Sequence, residues 1–131
     1  MKKTIISSDK LPVFGPYSAA VEAGDFIFIS GQIALDPKTG EVITDIKSAT
    51  RQVLTNMKII LEEAGLELTS IVKTTIYLKN ITDFAAVNEI YAGFFPQEPP
   101  ARSTIEVSSL PKGVPIEIEA VAVRNKYKPT V

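Results

Sequence analysis

Histidine and cysteine are both missing from this chain of 131 residues. Their absence removes disulfides, thiol chemistry and any zinc site built on Cys or His. It also removes every Ser-His-Asp or Cys-His nucleophile arrangement. An enzyme built from this sequence must draw its acids and bases from Glu, Asp, Tyr or Lys, helped by Ser, Thr, backbone groups and water. An excess of one charge is lacking too. The formal net charge is -1 and the pI about 5.5, and no run of lysines and arginines offers a surface to nucleic acid or an anionic membrane. No apolar stretch approaches the roughly 20 residues that a membrane helix needs. Lys2 and Lys3 are followed by no apolar h-region, so no secretory signal is expected, and the cytosol is the expected location. There is no acidic cluster with the spacing of a calcium loop, no GxxxxGK[ST] and no GxGxxG, so no metal site is expected.

What is present is ordinary for a globular protein: 45% hydrophobic and 22% charged residues, enough for one domain over residues 1–131 with a real core. Lys3 to Ser7 reads as a short strand. Leu11 to Tyr17, with two prolines and a glycine, reads as a loop. Ser18 to Glu22 and Phe26 to Gln32 flank a turn at Ala23-Gly24-Asp25 and predict a hairpin. Asp36 to Gly40 is a second turn between short extended pieces. Asp45 to Ala64 carries apolar residues at helical spacing, with Asp45 as N-cap and Gly65 just past the end. Ile71 to Lys79 predicts a strand, and Thr82 is expected to cap a second helix that Pro96 stops. Ala101 to Val107 and Val114 to Val123 are the last two strands, and the polar tail from Arg124 is expected to lie loose. That order predicts two helices on one face of a mixed sheet. Yet Phe26 to Ile29 is apolar on both faces, and two helices cover only one. The other face needs a partner, and a second copy of the chain is the simplest one; a homo-oligomer is expected.

The stretch PPARSTIEVSSLPKG, Pro99 to Gly113, holds the first candidate for chemistry. Arg102 stands at the mouth of a strand behind a stiff proline turn, and its planar fork of donors matches a carboxylate or phosphate. A solvated or structural arginine is the alternative. Of the three arginines, Arg51 falls on a wet helix face and Arg124 where the last strand frays, which leaves Arg102 nearest the interior. Glu117 and Glu119 interrupt a strongly apolar strand. Such carboxylates are either paired or shifted in pKa, unless the strand is an edge whose glutamates face water. Tyr17 and Ser30 are single polar groups in apolar surroundings. Gly31, after Ser30, is bare backbone that a ligand could approach. Asn88 lies on or beside the apolar stripe of the second helix and needs a partner, most simply backbone.

These pieces form a collinear series. Gly15-Pro16-Tyr17, Ser30-Gly31-Gln32, Asp36 to Gly40, Glu63-Ala64-Gly65, Val72 to Thr75, Asp83-Phe84, Val87-Asn88, Phe94-Phe95, Pro100 to Ser103, Leu110-Pro111 and Ile116 to Ala120 make the sequence resemble the Rid family, also called the YjgF family, and its RidA branch. The resemblance implies an α+β, chorismate-mutase-like fold assembled as a homotrimer, with sheets facing inward and sites between subunits. It implies hydrolysis of reactive enamines and imines, such as 2-aminoacrylate, to 2-keto acids and ammonia, with no cofactor. It implies that Arg102 grips the substrate carboxylate and that Glu117 activates water or carries a proton. Tyr17, Ser30, Gly31 and Asn88 would then shape the pocket. Arg102 and Glu117 could meet across the turn between them or from neighbouring chains. Two departures stand out: Thr104 where many relatives have cysteine, and a short, proline-rich connection from Phe95 to Arg102.

Two other functions remain open at this point. A sensor of 2-keto acids would use Arg102 without turnover. A ribonuclease or translation inhibitor, an activity ascribed to some relatives, is disfavoured by the lack of histidine and of a basic stripe.

Overall fold

Alternation of side chains along six strands decides the architecture. In a computed structural model, which describes residues 2–124, β1 (Lys3–Ile6), β2 (Ala20–Ala23), β3 (Phe26–Ile33), β4 (Ile71–Leu78), β5 (Ala101–Glu106) and β6 (Ile116–Val123) form one sheet in the order β1-β2-β3-β6-β4-β5. β4 and β5 run parallel and every other pair is antiparallel. With α1 (Ile46–Glu63) and α2 (Phe84–Phe94), this is an α+β fold of one mixed sheet and two helices. The expectation for the tail beyond residue 124 lies outside the described residues. Among those described, no helix is long and apolar enough to cross a membrane.

The sheet has one covered face. Ile27 and Ile29 of β3, Ile76 and Leu78 of β4, and Ile116 and Ile118 of β6 are buried against the helices. Their partners from α1 are Val53, Leu54, Met57, Ile60 and Leu61, the stripe that its periodicity predicts. Each such side chain, fully removed from water, contributes about 1.5–3 kcal/mol. Asp45 caps α1 by accepting from Ser48 N at 3.0 Å, and Gly65 follows its end with φ +73°, a conformation that glycine adopts without strain. The opposite face carries the other half of each alternation. Phe26 and Phe28 stay 47% and 49% exposed, together with Ile5, Val72 and Ile105.

Three local expectations are corrected. Thr82 does not cap the second helix. A 3-10 turn, Ile81–Asp83, precedes α2, and Asn80 caps that turn by accepting from Thr82 N and Oγ1. The start of the last strand moves from Val114 to Ile116, because Pro111–Gly113 forms a 3-10 turn and Pro115 has no N–H to give a ladder. Arg124 does not fray. Its guanidinium forks onto Glu22 at 2.8 and 3.0 Å and donates to the Ala64 carbonyl at 2.8 Å, tying β2 and the end of α1 to the end of β6.

Candidate active site: two half-clefts on opposite faces

Arg102 belongs to the helix-covered face. It pairs with Thr74 in the β4–β5 ladder, and Thr74 is buried. Its Nη2 donates to Asn88 Oδ1 at 2.6 Å, so the partner of Asn88 is this guanidinium rather than backbone. The same group lies 4.9 Å from the Tyr91 ring centre and 5.4 Å from that of Phe84. Aromatic faces stabilise a cation and leave the fork's edge open for an anion. Tyr91 is itself held by a 2.8 Å hydrogen bond to Thr74 Oγ1, and burial pushes its hydroxyl pKa up. Asn88, Tyr91, Phe95, Pro99, Pro100 and Arg102 together line a shallow cleft. Among the described residues, the Asn88 contact is the one hydrogen bond that the Arg102 side chain makes. The engaged donors of Arg124, not fraying, are what set that residue aside as a ligand-binding group.

Glu117 belongs to the other face. It pairs with Tyr77 in the β4–β6 ladder, three residues further along β4 than Thr74, and Tyr77 in turn pairs with exposed Ile105. Within one chain, therefore, Arg102 and Glu117 do not meet across the turn at Pro111–Gly113. Glu117 instead lines a separate cavity of about 220 Å³, with Tyr17, Gly31, Gln32, Asn56 and Lys112 among its walls. Burial, aided by the negative charge of Glu119, pushes its carboxyl pKa up.

A bulge in β3 shapes this second cleft. Ile29 pairs with Ala120, yet Gln32 pairs with Ile118, so β3 spends one residue more than β6 over this span. The extra length places Gly31 against Glu117. A Cβ on Gly31 would stand 2.8 Å from the Glu117 carboxyl carbon and 2.9 Å from Oε2. The glycine is needed for that close approach rather than for its backbone angle. Ser30 faces a different task. Its hydroxyl donates to the Ser18 carbonyl at 2.6 Å and its N–H to the Ala19 carbonyl at 2.9 Å, so it pins the segment that follows Tyr17, and it lines neither cleft. Tyr17 lies half exposed on the rim and accepts from Phe14 N at 3.4 Å.

Sequence reasoning overlooked several groups. Phe84 and Tyr91 read as plain members of an apolar stripe, though their spacing of four before and three after Asn88 was a usable signal. Lys112, at φ +57°, sits 4.7 Å over the Phe14 ring at the mouth of the Glu117 cavity; nothing in its surroundings in sequence marked it. Thr104, the departure from the family pattern, has a buried hydroxyl without a hydrogen-bond partner among the described residues. No group of three or more acidic side chains that could hold a metal ion is present among the described residues.

Comparison with known proteins places this geometry in context. The sequence model of the family described as Endoribonuclease L-PSP matches residues 7–124. The chain is 54% identical over 126 residues to a RutC family protein of Pyrococcus horikoshii, with 95% of this chain and all of the relative covered. It is 50% identical over 128 residues to the 2-iminobutanoate/2-iminopropanoate deaminase of Escherichia coli, again covering 95% of this chain and all of the relative. Among solved structures, the YjgF gene product of E. coli superimposes with a TM-score of 0.89 at 48% identity, covering 93% of this chain and 99% of that one. E. coli TdcF, solved with bound serine, does so with the same TM-score and coverage at 41% identity.

Proposed function

The chain belongs to the Rid (YjgF) family, whose sequence model carries the description Endoribonuclease L-PSP, and from that membership we propose that it hydrolyses 2-imino acids and their enamine tautomers to 2-keto acids and ammonia. The observation that carries the reading is the half-buried carboxyl of Glu117, raised in pKa by burial at the wall of a partly open cavity. A carboxyl whose pKa is raised by burial gives up its proton less readily to water and is suited to act as a general acid. The relatives of about 50% identity known as 2-iminobutanoate/2-iminopropanoate deaminases support the same chemistry.

The reaction needs little machinery. Glu117 gives its proton to the imine nitrogen, or to the terminal carbon of an enamine, and the resulting iminium carbon is strongly electrophilic. Water adds there, and the Glu117 carboxylate takes the proton that the water sheds. The carboxyl then returns that proton to the nitrogen of the tetrahedral adduct. The C–N bond breaks, ammonia leaves, and the carbonyl forms as the hydroxyl proton passes to the Glu117 carboxylate, which restores the starting acid. One imine and one water become one keto acid and one ammonia, with no change of oxidation state. Arg102 binds the substrate carboxylate through the edge of its fork, with Asn88 and Tyr91 holding that fork in place. Tyr17 and Gly31 border the reacting end. Neither metal nor redox cofactor is needed for this sequence of steps.

Because Arg102 and Glu117 lie on opposite faces of one sheet, one small substrate cannot touch both within a chain. The reading therefore includes a composite site, in which Arg102 and Asn88 of one copy face Tyr17, Gly31 and Glu117 of another. A homotrimer with inward-facing sheets is the assembly that the family resemblance implies. The description of the family as endoribonucleases draws no support from the clefts, which hold one arginine and one lysine between them and no histidine.

The test is a coupled assay in which a dehydratase generates 2-aminoacrylate and pyruvate release is followed. The native protein is expected to accelerate release, and Arg102→Ala to lower kcat/KM about 100-fold, the scale of a lost charge-assisted fork. No acceleration by the native protein, with saturable keto-acid binding in a calorimeter, would replace the deaminase by the sensor.

A further inference from the structure

Glu117 has a companion whose arrangement the hydrolysis itself does not explain. Glu119 follows it two residues later on the same face of β6, about 7 Å along the strand. Tyr77, the direct cross-strand partner of Glu117, does not bond to it. Its hydroxyl reaches diagonally and donates to Glu119 Oε1 at 2.5 Å. The Tyr77 ring thus stands beside Glu117 while its hydroxyl anchors the carboxylate next door. We propose that Tyr77 and Glu119 form a positioning pair for Glu117, holding a fixed negative charge beside it that keeps its carboxyl a proton donor.

The need for such a pair follows from the composite site, and the proposal rests on that reading. A guanidinium brought to the mouth of the Glu117 cavity favours the ionised carboxylate. Left alone, that guanidinium would pull the Glu117 pKa down and weaken it as a donor to the imine. A nearby carboxylate opposes it, and it does so best when it cannot turn away into solvent. The Tyr77 hydroxyl prevents that turn. Its own pKa is pushed up to about 12, first by the bond to Glu119 and then by burial and the charges of Glu119 and Glu117, so it remains a donor throughout the working range.

The other groups around Glu117 do not take this role. From β3, Gln32 and Ile33 pair with this part of β6 and carry no charge. From β4, Lys73 directs its ammonium to Ser103 Oγ at 3.3 Å. From the loop before β2, Tyr17 lines the cavity as a neutral phenol, and from the turn before β6 Lys112 is turned over Phe14. Among the described residues of the sheet, Glu119 is the one other acidic side chain that shares the face.

The experiment follows the Glu117 carboxyl directly by carbon-13 NMR of glutamate-labelled protein, with Glu117→Gln identifying its signal. The pH dependence of kcat/KM for 2-aminoacrylate hydrolysis is recorded in parallel. Glu119→Gln keeps the shape and removes the charge, and its Glu117 midpoint is expected to move toward acid by about half a pH unit at low salt. Tyr77→Phe keeps the ring and frees the carboxylate, and is expected to move the midpoint in the same direction by less. The alkaline limb of kcat/KM should move with the midpoint in both variants. A merely structural pair would lower rates without moving that limb. Midpoints that agree in all three proteins overturn the proposal, as does a limb that stays in place while the midpoint moves. If the midpoint shifts as expected but the native protein hydrolyses no imine, the charge pairing stands and the hydrolysis reading is the part that fails.

Discussion

Gly31 and Glu117 occupy one another's space. A methyl group on Gly31 would sit inside contact distance of the Glu117 carboxyl, and that carboxyl is the free end of a flexible side chain. Gly31→Ala should therefore push the carboxyl out of place rather than unfold the protein. The expected result is a loss of about tenfold or more in kcat, with a thermal midpoint close to that of the native chain; an equally active Gly31→Ala protein would remove Glu117 from the chemistry. Both residues stood out in the sequence, Glu117 as a charge inside an apolar strand and Gly31 as bare backbone after a buried run. Their contact did not, because it depends on a bulge that shifts β3 by one position against β6. Arg102 was legible as a fork behind a proline turn. Its surroundings of Asn88, Phe84 and Tyr91 are contacts between α2 and the edge strand, which no local pattern encodes.

α1 shows how a helix holds a loop and a strand end at once. Its buried Asn56 donates to the Leu35 carbonyl at 3.0 Å and to the Ile33 carbonyl at 3.3 Å, while Gln52 donates to Asn56 Oδ1 at 2.8 Å. The β3 end that carries Gly31 is thereby fastened to the helix behind it. Asn56→Ala would take the side-chain donor from the Leu35 carbonyl, while the Ile33 carbonyl keeps the Leu35 N–H at 2.8 Å, and is expected to destabilise the protein by about 2 kcal/mol in a urea titration and to lower activity as the Glu117 cavity loosens. A loss of stability below about half a kcal/mol would mean that water replaces the amide there. The helix was readable from its period, its Asp45 cap and its closing Gly65. The cap of α2 was misplaced at Thr82 because Asn80 and Thr82 are both capping residues, and only the backbone shows that a 3-10 turn intervenes.

The uncovered face of the sheet is where the proposed assembly of copies would be decided. Phe26, Phe28, Ile5 and Ile105 each remain about half exposed on a single chain, an apolar surface of the kind that mates with another copy. Phe28→Asp costs little in an isolated chain and is severe at a buried contact. The variant should sediment as a single folded chain, with native circular dichroism, and should lose the proposed deamination, because the proposed composite site needs the half-cleft of Arg102 to meet that of Glu117 on another copy. An unchanged mass would show that this face does not join the copies.

Local chemistry read without any structure was sufficient for the existence and order of the helices and strands, and for excluding histidine and cysteine from any chemistry of this chain. Those features depend on residue type and on spacing along the chain, and both are written in the sequence. The pairing order of the strands, the bulge, and the opposite faces taken by Arg102 and Glu117 were decided by the tertiary structure. A strand's parity says which residues share a face, but only its pairing with distant strands says which face meets the helices. That is why the two residues could be named from the sequence while their separation within one chain could not.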